Sequence, residues 1–243
     1  MRLKAIICQV FTREAQLAVS RSPHQVDVEF LPMGAHELGN KMRPLLQHRI
    51  DAADGQGYDA IVLGFALCGR GTEGLRAGKT PVVIPRAHDC IDILMGGHSK
   101  SMAYFETHPG VYYRSPGWVE FLEASDTFQP ASMKNVFGDR RPLTELIAKY
   151  GEEDGRYLHA EFGGGQHEGT LTYISTGVPG DDEFRRRAKE EAEDANRHFE
   201  VCSGSTEVLE RLVNGTWASE EFLIIPPGRS VRAVLGAAIM DLS

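Results

Sequence analysis

Short hydrophobic runs alternate with longer amphipathic or polar segments in the first part of the chain. The runs LKAIIC, VDVEFLP, DAIVLG and PVVIP are rich in β-branched residues, and the segments between them are long enough to hold a helix. This alternation is typical of βαβ units that build a parallel sheet. DAIVLG and PVVIP are apolar at consecutive positions, which predicts central strands that are covered on both faces.

The alternation starts again after residue 110. The segment GVYYRSPGW is followed by a charged, helical stretch around 139–158 and then by the strand-like runs TLTYIS, HFEV and EFLIIPPG. The glycines at 163–165 predict a connecting loop between these elements. We therefore predict an α/β protein with mostly parallel, Rossmann-like sheets in two α/β halves, residues 1–110 and 111–243, with a cleft between them.

Three cysteines and a histidine follow the predicted strands of the first half. Cys8 ends the first strand, Cys68 comes four residues after DAIVLG, and His88 and Cys90 follow PVVIP. Ligands of open α/β sheets bind at the carboxyl ends of parallel strands. We therefore expect these four side chains to meet at one edge of the sheet.

Thiolates and imidazole are preferred ligands of zinc, and three thiolates can also hold an iron-sulfur cluster with one open iron. The pattern His88-Asp89-Cys90 implies a loop, because neither a strand nor a helix places both outer side chains on one face. Two other interpretations remain open. The cysteines can be small buried hydrophobes, or Cys90 can be a nucleophile activated by His88. Cys202 is predicted to be a core or cap-region residue.

Several further residues are candidates for substrate binding. His36 follows the second strand and can face the same edge, or it is a surface histidine. Arg86 follows PVVIP and can clamp a substrate carboxylate, or it is an ordinary surface arginine. Tyr112, Tyr113 and Trp118 can form a rigid aromatic wall of a small-molecule pocket, or they mark the junction of the two halves.

Charge and composition narrow the class of partner. The 243 residues include 34 acidic side chains and 26 Lys and Arg, which gives a net charge of -8 and no basic block. A nucleic-acid partner is therefore not expected. The N-terminal apolar stretch is too short for a signal sequence or a membrane span, so we expect a cytoplasmic protein that does not enter membranes. Its four cysteines are then expected to stay reduced.

The segments YDAIVLGFALCGRGTEGLRA, TPVVIPRAHDC, HPGVYYRSPGW, KYGEEDGRYL, YISTGVP and EFLIIPPG resemble the uncharacterised family known as domain of unknown function 1638. The resemblance runs from Cys8 to about Gly228. It implies that Cys8, Cys68, His36, His88 and Cys90 are motif positions, whereas Cys202 does not match a family cysteine. Members of the family often accompany corrinoid methyltransferase systems for methylated amines. A typical member has Asn where this chain has Arg70.

These observations lead to a hypothesis with alternatives. A His-x-Cys pair with a distant cysteine resembles the zinc site of methylcobamide-dependent methyltransferases, and a three-cysteine cluster resembles the open-iron 4Fe-4S sites of hydro-lyases and desulfurases. We expect a metal-dependent transferase or lyase for a small metabolite in one-carbon or methylated-amine metabolism. Cys8, Cys68, Cys90 and His88 would bind zinc, or alternatively a 4Fe-4S cluster, with His88, His36 and Arg86 as catalytic groups. A metal-free cysteine enzyme and a metal-binding accessory of a corrinoid protein or methyltransferase remain the alternatives.

Overall fold

A computed structural model describes residues 1–33, 42–108, 110–122 and 169–243, together with residues 144, 147, 148, 151, 152 and 156. His36 and the glycines at 163–165 lie outside the described residues, so their predicted roles stay predictions. Across the described ranges, no helix has both the length and the apolar character needed to cross a membrane.

The described elements follow one another in a largely alternating order of strands and helices. In chain order they are β1 (Arg2–Cys8), a 3-10 turn (Gln9–Phe11), α1 (Thr12–Arg21), β2 (Gln25–Leu31), α2 (Met42–Ala53), β3 (Ala60–Gly64), β4 (Val82–Pro85), α3 (Cys90–Leu94), α4 (His98–Thr107), β5 (Tyr112–Arg114), α5 (Pro116–Leu122), β6 (Thr170–Ser175), α6 (Asp181–Asp194), β7 (His198–Ser203), α7 (Glu207–Val213), β8 (Phe222–Ile225), β9 (Val231–Ala233) and β10 (Met240–Leu242).

The larger sheet has the strand order β2-β1-β3-β4-β8. The pairs β1–β2, β1–β3 and β3–β4 are parallel, and β8 runs antiparallel to β4. Every residue of β3 and β4 is buried, as expected for strands that are apolar at consecutive positions. The predicted α/β fold with a mostly parallel central sheet is confirmed.

The smaller sheet has the order β5-β6-β7 and is parallel throughout, and β9 and β10 form a separate antiparallel pair. The strand β8 comes late in the chain, yet it pairs with β4 in the larger sheet. The predicted boundary at residue 110 stays a prediction.

Hydrophobic cores cover both faces of the larger sheet. One core packs residues of α1, α3 and α7 against the sheet, and the other packs α2 against the opposite face. Cys8 and Cys68 contact both cores, because they lie at the edge where the strands end. The parallel topology thus brings two of the predicted site residues to the rim that both cores share.

A buried carboxyl lies where α1 meets the end of β6. Glu14 has no exposed surface, and the Thr176 hydroxyl donates a hydrogen bond of 2.7 Å to its Oε1. Its Oε2 is buried without a hydrogen-bond partner among the described residues. Burial is the main reason why the pKa of Glu14 rises from 4.5 to about 7, and nearby Asp181 and Glu120 raise it as well.

We expect this carboxyl to make the protein less stable as pH rises from about 4.5 to about 7. The folded state keeps a proton that the unfolded chain has already released in this window, so the free energy of unfolding should fall by about 3 kcal/mol. Glu14→Gln should lack this loss, because the amide does not ionise. Urea unfolding at pH 5 and pH 8 checks the difference.

The exposed Glu220→Gln serves as the matched control, since it removes one acidic group without changing a buried site. It should follow the wild-type pH profile. If the free energy of unfolding changes equally between pH 5 and pH 8 in the wild type and in Glu14→Gln, then Glu14 is ionised in the folded protein at both pH values.

Candidate functional site

Three cysteines lie at the carboxyl ends of neighbouring parallel strands. Cys8 is the last residue of β1, Cys68 lies in the loop after β3, and Cys90 begins α3 after β4. Backbone hydrogen bonds join the two loops: the Cys68 N–H donates to the His88 carbonyl oxygen at 2.8 Å, and Leu67 N–H donates to Ala87 at 2.9 Å. The loops that carry Cys68 and Cys90 are therefore fixed against each other.

All three cysteines line one small, largely apolar cavity of about 30 Å³. The 3-10 turn after β1, the loop after β3 and the start of α5 supply much of the remaining lining, which consists of Val10, Phe11, Met33, Met42, Phe65, Ala66 and Trp118. A space of this size has room for roughly one or two water molecules. The cavity is therefore large enough for a single metal ion together with one bound ligand atom.

The apolar surroundings keep the three thiols protonated. Burial raises the pKa of Cys8 to about 11 and the pKa of Cys68 to about 12. The pKa of Cys90 rises well above its ordinary value, mainly through burial and further through its neighbours Asp89, Cys68 and Cys8. A thiol with a raised pKa is a poor nucleophile, whereas a bound metal ion deprotonates a coordinating thiol outright.

The donor chemistry of this cavity fits a single borderline metal ion such as zinc, which binds thiolates readily. A 4Fe-4S cluster, with four irons and four sulfides, needs more space than a cavity of about 30 Å³ offers. Within the described residues, no three His, Cys, Asp or Glu side chains are spaced so that they could hold a metal ion. The thiol donors therefore match zinc in chemical type but not in spacing. The three sulfurs would have to approach one another to bind the ion.

The backbone at Cys68 adopts a conformation that residues other than glycine rarely adopt. Cys68, Gly69 and Arg70 have φ angles of 48°, 61° and 73°, all in the left-handed region. A residue with a Cβ loses roughly 1 to 2 kcal/mol there, and such strain clusters at functional sites. Glycine would suit position 68 better for folding alone, so the strain supports a functional use of the thiol.

His88 lies beside the cavity and does not line it. Its side chain is exposed, and its ring packs edge-to-face against His98 with 4.7 Å between the ring centroids. Its backbone N–H donates to the buried carboxylate of Asp92 at 2.7 Å. Sequence reasoning missed Asp92 and His98, although both follow the RAHDC segment within ten residues of Cys90.

Arg86 is engaged by backbone carbonyls. Its guanidinium donates to Ser219 and Ala238 at 2.8 Å each and also to Met240. These bonds tie the end of β4 to the C-terminal segments. The Nε and Nη1 atoms of Arg86 already donate to these carbonyls, and its predicted substrate-binding role stays a prediction.

The three predicted aromatic wall residues separate in the structure. Trp118 lines the thiol cavity, whereas Tyr113 packs edge-to-face on Tyr104, with ring centroids 6.4 Å apart. Tyr112 lies under the guanidinium of Arg197, which is 3.9 Å from its ring centroid, and packs on the small core of β6 and α6. Neighbouring residues of a strand point to opposite faces, so Tyr112 and Tyr113 cannot share one wall.

A second concavity, of about 510 Å³, lies between α4 and β7. Its lining includes Tyr104, His108 and Glu200, and the Tyr104 hydroxyl donates to Glu200 at 3.2 Å. Cys202 also lies here, buried in the core on β7, as the sequence predicts. Cys202 does not line the cavity of the other three cysteines.

Comparison with protein families gives one match. The sequence model of a family described as "Protein of unknown function (DUF1638)" matches residues 30–213, more than half of the chain. The matched range contains Cys68, His88 and Cys90, and Cys8 precedes it. Neither the curated proteins nor the solved structures give a match.

Proposed function

This chain belongs to the DUF1638 family, and since the description of that family names no activity, we propose a function from the site itself. The protein is a metal-dependent enzyme that acts on a small metabolite, with zinc bound by Cys8, Cys68 and Cys90. One observation carries the proposal: three free cysteines from three separate segments of the chain line a single small cavity. Such convergence at the edge where α/β proteins bind ligands supports the proposal over burial of three unrelated thiols.

The residues around the thiols have distinct tasks in this proposal. Zinc bound there would act as a Lewis acid that lowers the pKa of a substrate thiol or of water. Phe11, Met33 and Trp118 exclude bulk water from the cavity, which strengthens electrostatic interactions inside it. In this proposal His88 takes up the proton that a substrate releases, and its exposed position two residues before Cys90 supports this role.

We place the reaction in one-carbon or methylated-amine metabolism, as a corrinoid-linked methyl transfer. The similarity of the His-x-Cys pattern at 88–90 to zinc sites of methylcobamide-dependent methyltransferases supports this choice. The partners are then a small-molecule substrate and a corrinoid protein or methyltransferase, in the reducing cytoplasm that keeps the thiols free. The two Rossmann-like halves and their cleft belong to the same proposal.

Two alternatives are less well supported by the site. A 4Fe-4S lyase or desulfurase needs a larger cavity than the one that the cysteines line. A metal-free cysteine nucleophile needs a lowered thiol pKa, whereas the pKa of Cys90 is raised. A non-catalytic zinc accessory protein shares the same ligands, and a test of turnover separates it from the enzyme.

Zinc titration of the metal-free protein under anaerobic conditions tests the metal site. Because the three thiols are neutral without metal, zinc binding near pH 7 should release about three protons per ion. Alkylation with N-ethylmaleimide, followed by peptide mass spectrometry, should show zinc protecting Cys8, Cys68 and Cys90 while Cys202 keeps its labelling rate. Zinc-independent labelling of all four cysteines would refute the ligand assignment.

Turnover is tested with methylcobalamin and a panel of small thiols. In this reaction the methyl group passes from cobalt to sulfur, cob(I)alamin leaves with the electron pair, and the thiol proton passes to His88 and from there to solvent. Zinc-loaded protein should speed the loss of methylcobalamin absorbance for one acceptor. Binding of zinc without turnover, combined with a stable complex with a corrinoid protein, would favour the accessory role.

A further inference from the structure

The concavity between α4 and β7, here called the α4–β7 groove, has the size of a ligand pocket. Its volume of about 510 Å³ falls within the range of small-molecule sites, which is roughly 300 to 1,000 Å³. The groove and the thiol cavity have no lining residue in common. A ligand bound in the groove would therefore be recognised by a different set of side chains from those around the three cysteines.

Glu200 supplies the negative charge of the groove, and its neighbours hold it in place. The Tyr104 hydroxyl donates to Glu200 Oε2 at 3.2 Å, and the buried Thr172 hydroxyl lies 3.4 Å from the Tyr104 oxygen. The His108 ring stacks on the Tyr104 ring at 4.0 Å, and its Nε2 lies 3.8 Å from the same Oε2. Within the described part of the chain, these contacts reach only one of the two carboxylate oxygens. Oε1 is therefore left to accept a hydrogen bond from a ligand.

Lys100 supplies a positive charge to the same groove. Its position four residues before Tyr104 puts both side chains on one face of α4, about one helical turn apart. The Lys100 ammonium lies 3.7 Å from the Glu207 carboxylate, and both side chains are more than half exposed. Water weakens such a surface ion pair, so the ammonium is available to a ligand. The groove thus offers opposite charges at two separate points.

Apolar side chains also line the groove. Ala103 comes from α4, Met95 follows α3, and Val201 on β7 is 46% exposed. The strand β7 is an end strand of the smaller sheet, and among the described residues no further strand covers its open side. Methylene groups of a ligand would remove this apolar surface from water, which favours binding.

We propose that the α4–β7 groove binds a small aminocarboxylate, a metabolite with a protonated amine and a carboxylate joined by a short aliphatic chain. The amine donates to Oε1 of Glu200, the carboxylate pairs with Lys100, and the chain packs on Val201. A simple anion is repelled by Glu200 and a simple cation by Lys100, so the groove selects a ligand that carries both charges. This site needs no metal, and it goes beyond the proposed function without depending on it.

Isothermal titration calorimetry of the full chain, with a chelator present to keep zinc out of the result, tests the ligand class. At least one of γ-aminobutanoate and ε-aminohexanoate should bind with a Kd below about 1 mM. Hexanoate and hexylamine each lack one charge, and they should bind at least about tenfold more weakly. Absence of binding by both aminocarboxylates, or equal binding of hexylamine, would overturn the inference and leave the zinc proposal untouched.

Variants of the groove test which side chains recognise the ligand. Glu200→Gln keeps the shape of the side chain and removes its charge, so the affinity for the better aminocarboxylate should fall by roughly tenfold or more. Lys100→Gln should lower it about threefold to fivefold, because its partner lies nearer to solvent.

Glu207→Gln is the matched control, since it removes an exposed carboxylate beside Lys100 that does not line the groove. Its affinity should stay within about twofold of the wild type. Wild-type affinity in folded Glu200→Gln and Lys100→Gln would place the ligand elsewhere and overturn the inference. If Glu200→Gln does not fold, the comparison of aminocarboxylates with hexanoate and hexylamine on the wild type still decides the question.

Discussion

Cys68→Ser is expected to lower the zinc content of the protein from about one ion per chain to almost none. A serine hydroxyl does not ionise in an apolar cavity, and it is a much poorer ligand for zinc than a thiolate. The change keeps the shape of the side chain and leaves the left-handed backbone at this position unaltered. Loss of the metal would therefore be assigned to the lost donor atom.

The matched control for this prediction is Cys202→Ser. Cys202 is also a free, buried cysteine, but it lies on β7 and does not line the thiol cavity. Metal analysis of both variants, purified side by side, should find zinc in Cys202→Ser and not in Cys68→Ser. Full retention of zinc by Cys68→Ser would remove Cys68 from the site.

Gly117→Ala is expected to lower the free energy of unfolding by at least about 3 kcal/mol. A Cβ at Gly117, in α5, would lie 1.9 Å from the carbonyl oxygen of Val10 and 2.6 Å from its carbonyl carbon. Both are backbone atoms of the 3-10 turn, which cannot move without displacing the wall of the thiol cavity. Alanine normally stabilises a helix relative to glycine by about 1 kcal/mol, so the expected sign is the opposite of the intrinsic preference.

Gly71→Ala provides the contrast. There the nearest atom to a new Cβ is Met42 Sδ at 2.5 Å, the flexible part of a side chain that can take another rotamer. Chemical denaturation should therefore find a clearly smaller loss for Gly71→Ala than for Gly117→Ala. A similar decrease in the free energy of unfolding in the two variants would mean that the backbone at Val10 can move aside as easily as the Met42 side chain.

Strand ends were the most informative feature of the sequence. Consecutive apolar positions in DAIVLG and PVVIP indicated buried parallel strands, and parallel strands must bring their carboxyl ends to one edge. This is why the shared edge of Cys8, Cys68 and Cys90 could be predicted from the order of residues along the chain. The run EFLIIPPG indicated a strand at β8, but its antiparallel pairing with β4 could not be predicted, because such pairing leaves no local signal in the sequence.

Side-chain roles were harder to predict than positions. The pairing of Tyr112 with Tyr113 in one wall ignored the alternation of a strand, and the structure places them on different cores. Arg86 was interpreted as a substrate clamp because its actual partners could not be identified from the sequence. These backbone carbonyls lie more than 130 residues away in the chain. Asp92 and His98 carried no motif of their own, since their contacts with the backbone and the ring of His88 exist only in the folded chain.

The proposed function depends on a zinc site formed by the three thiols at the sheet edge. Elemental analysis of protein purified without oxygen, together with its absorption spectrum, tests this claim most directly. We predict about one zinc per chain and no visible colour. Roughly four irons with a broad brown absorption band, or no metal at all in fresh protein, would contradict the zinc site.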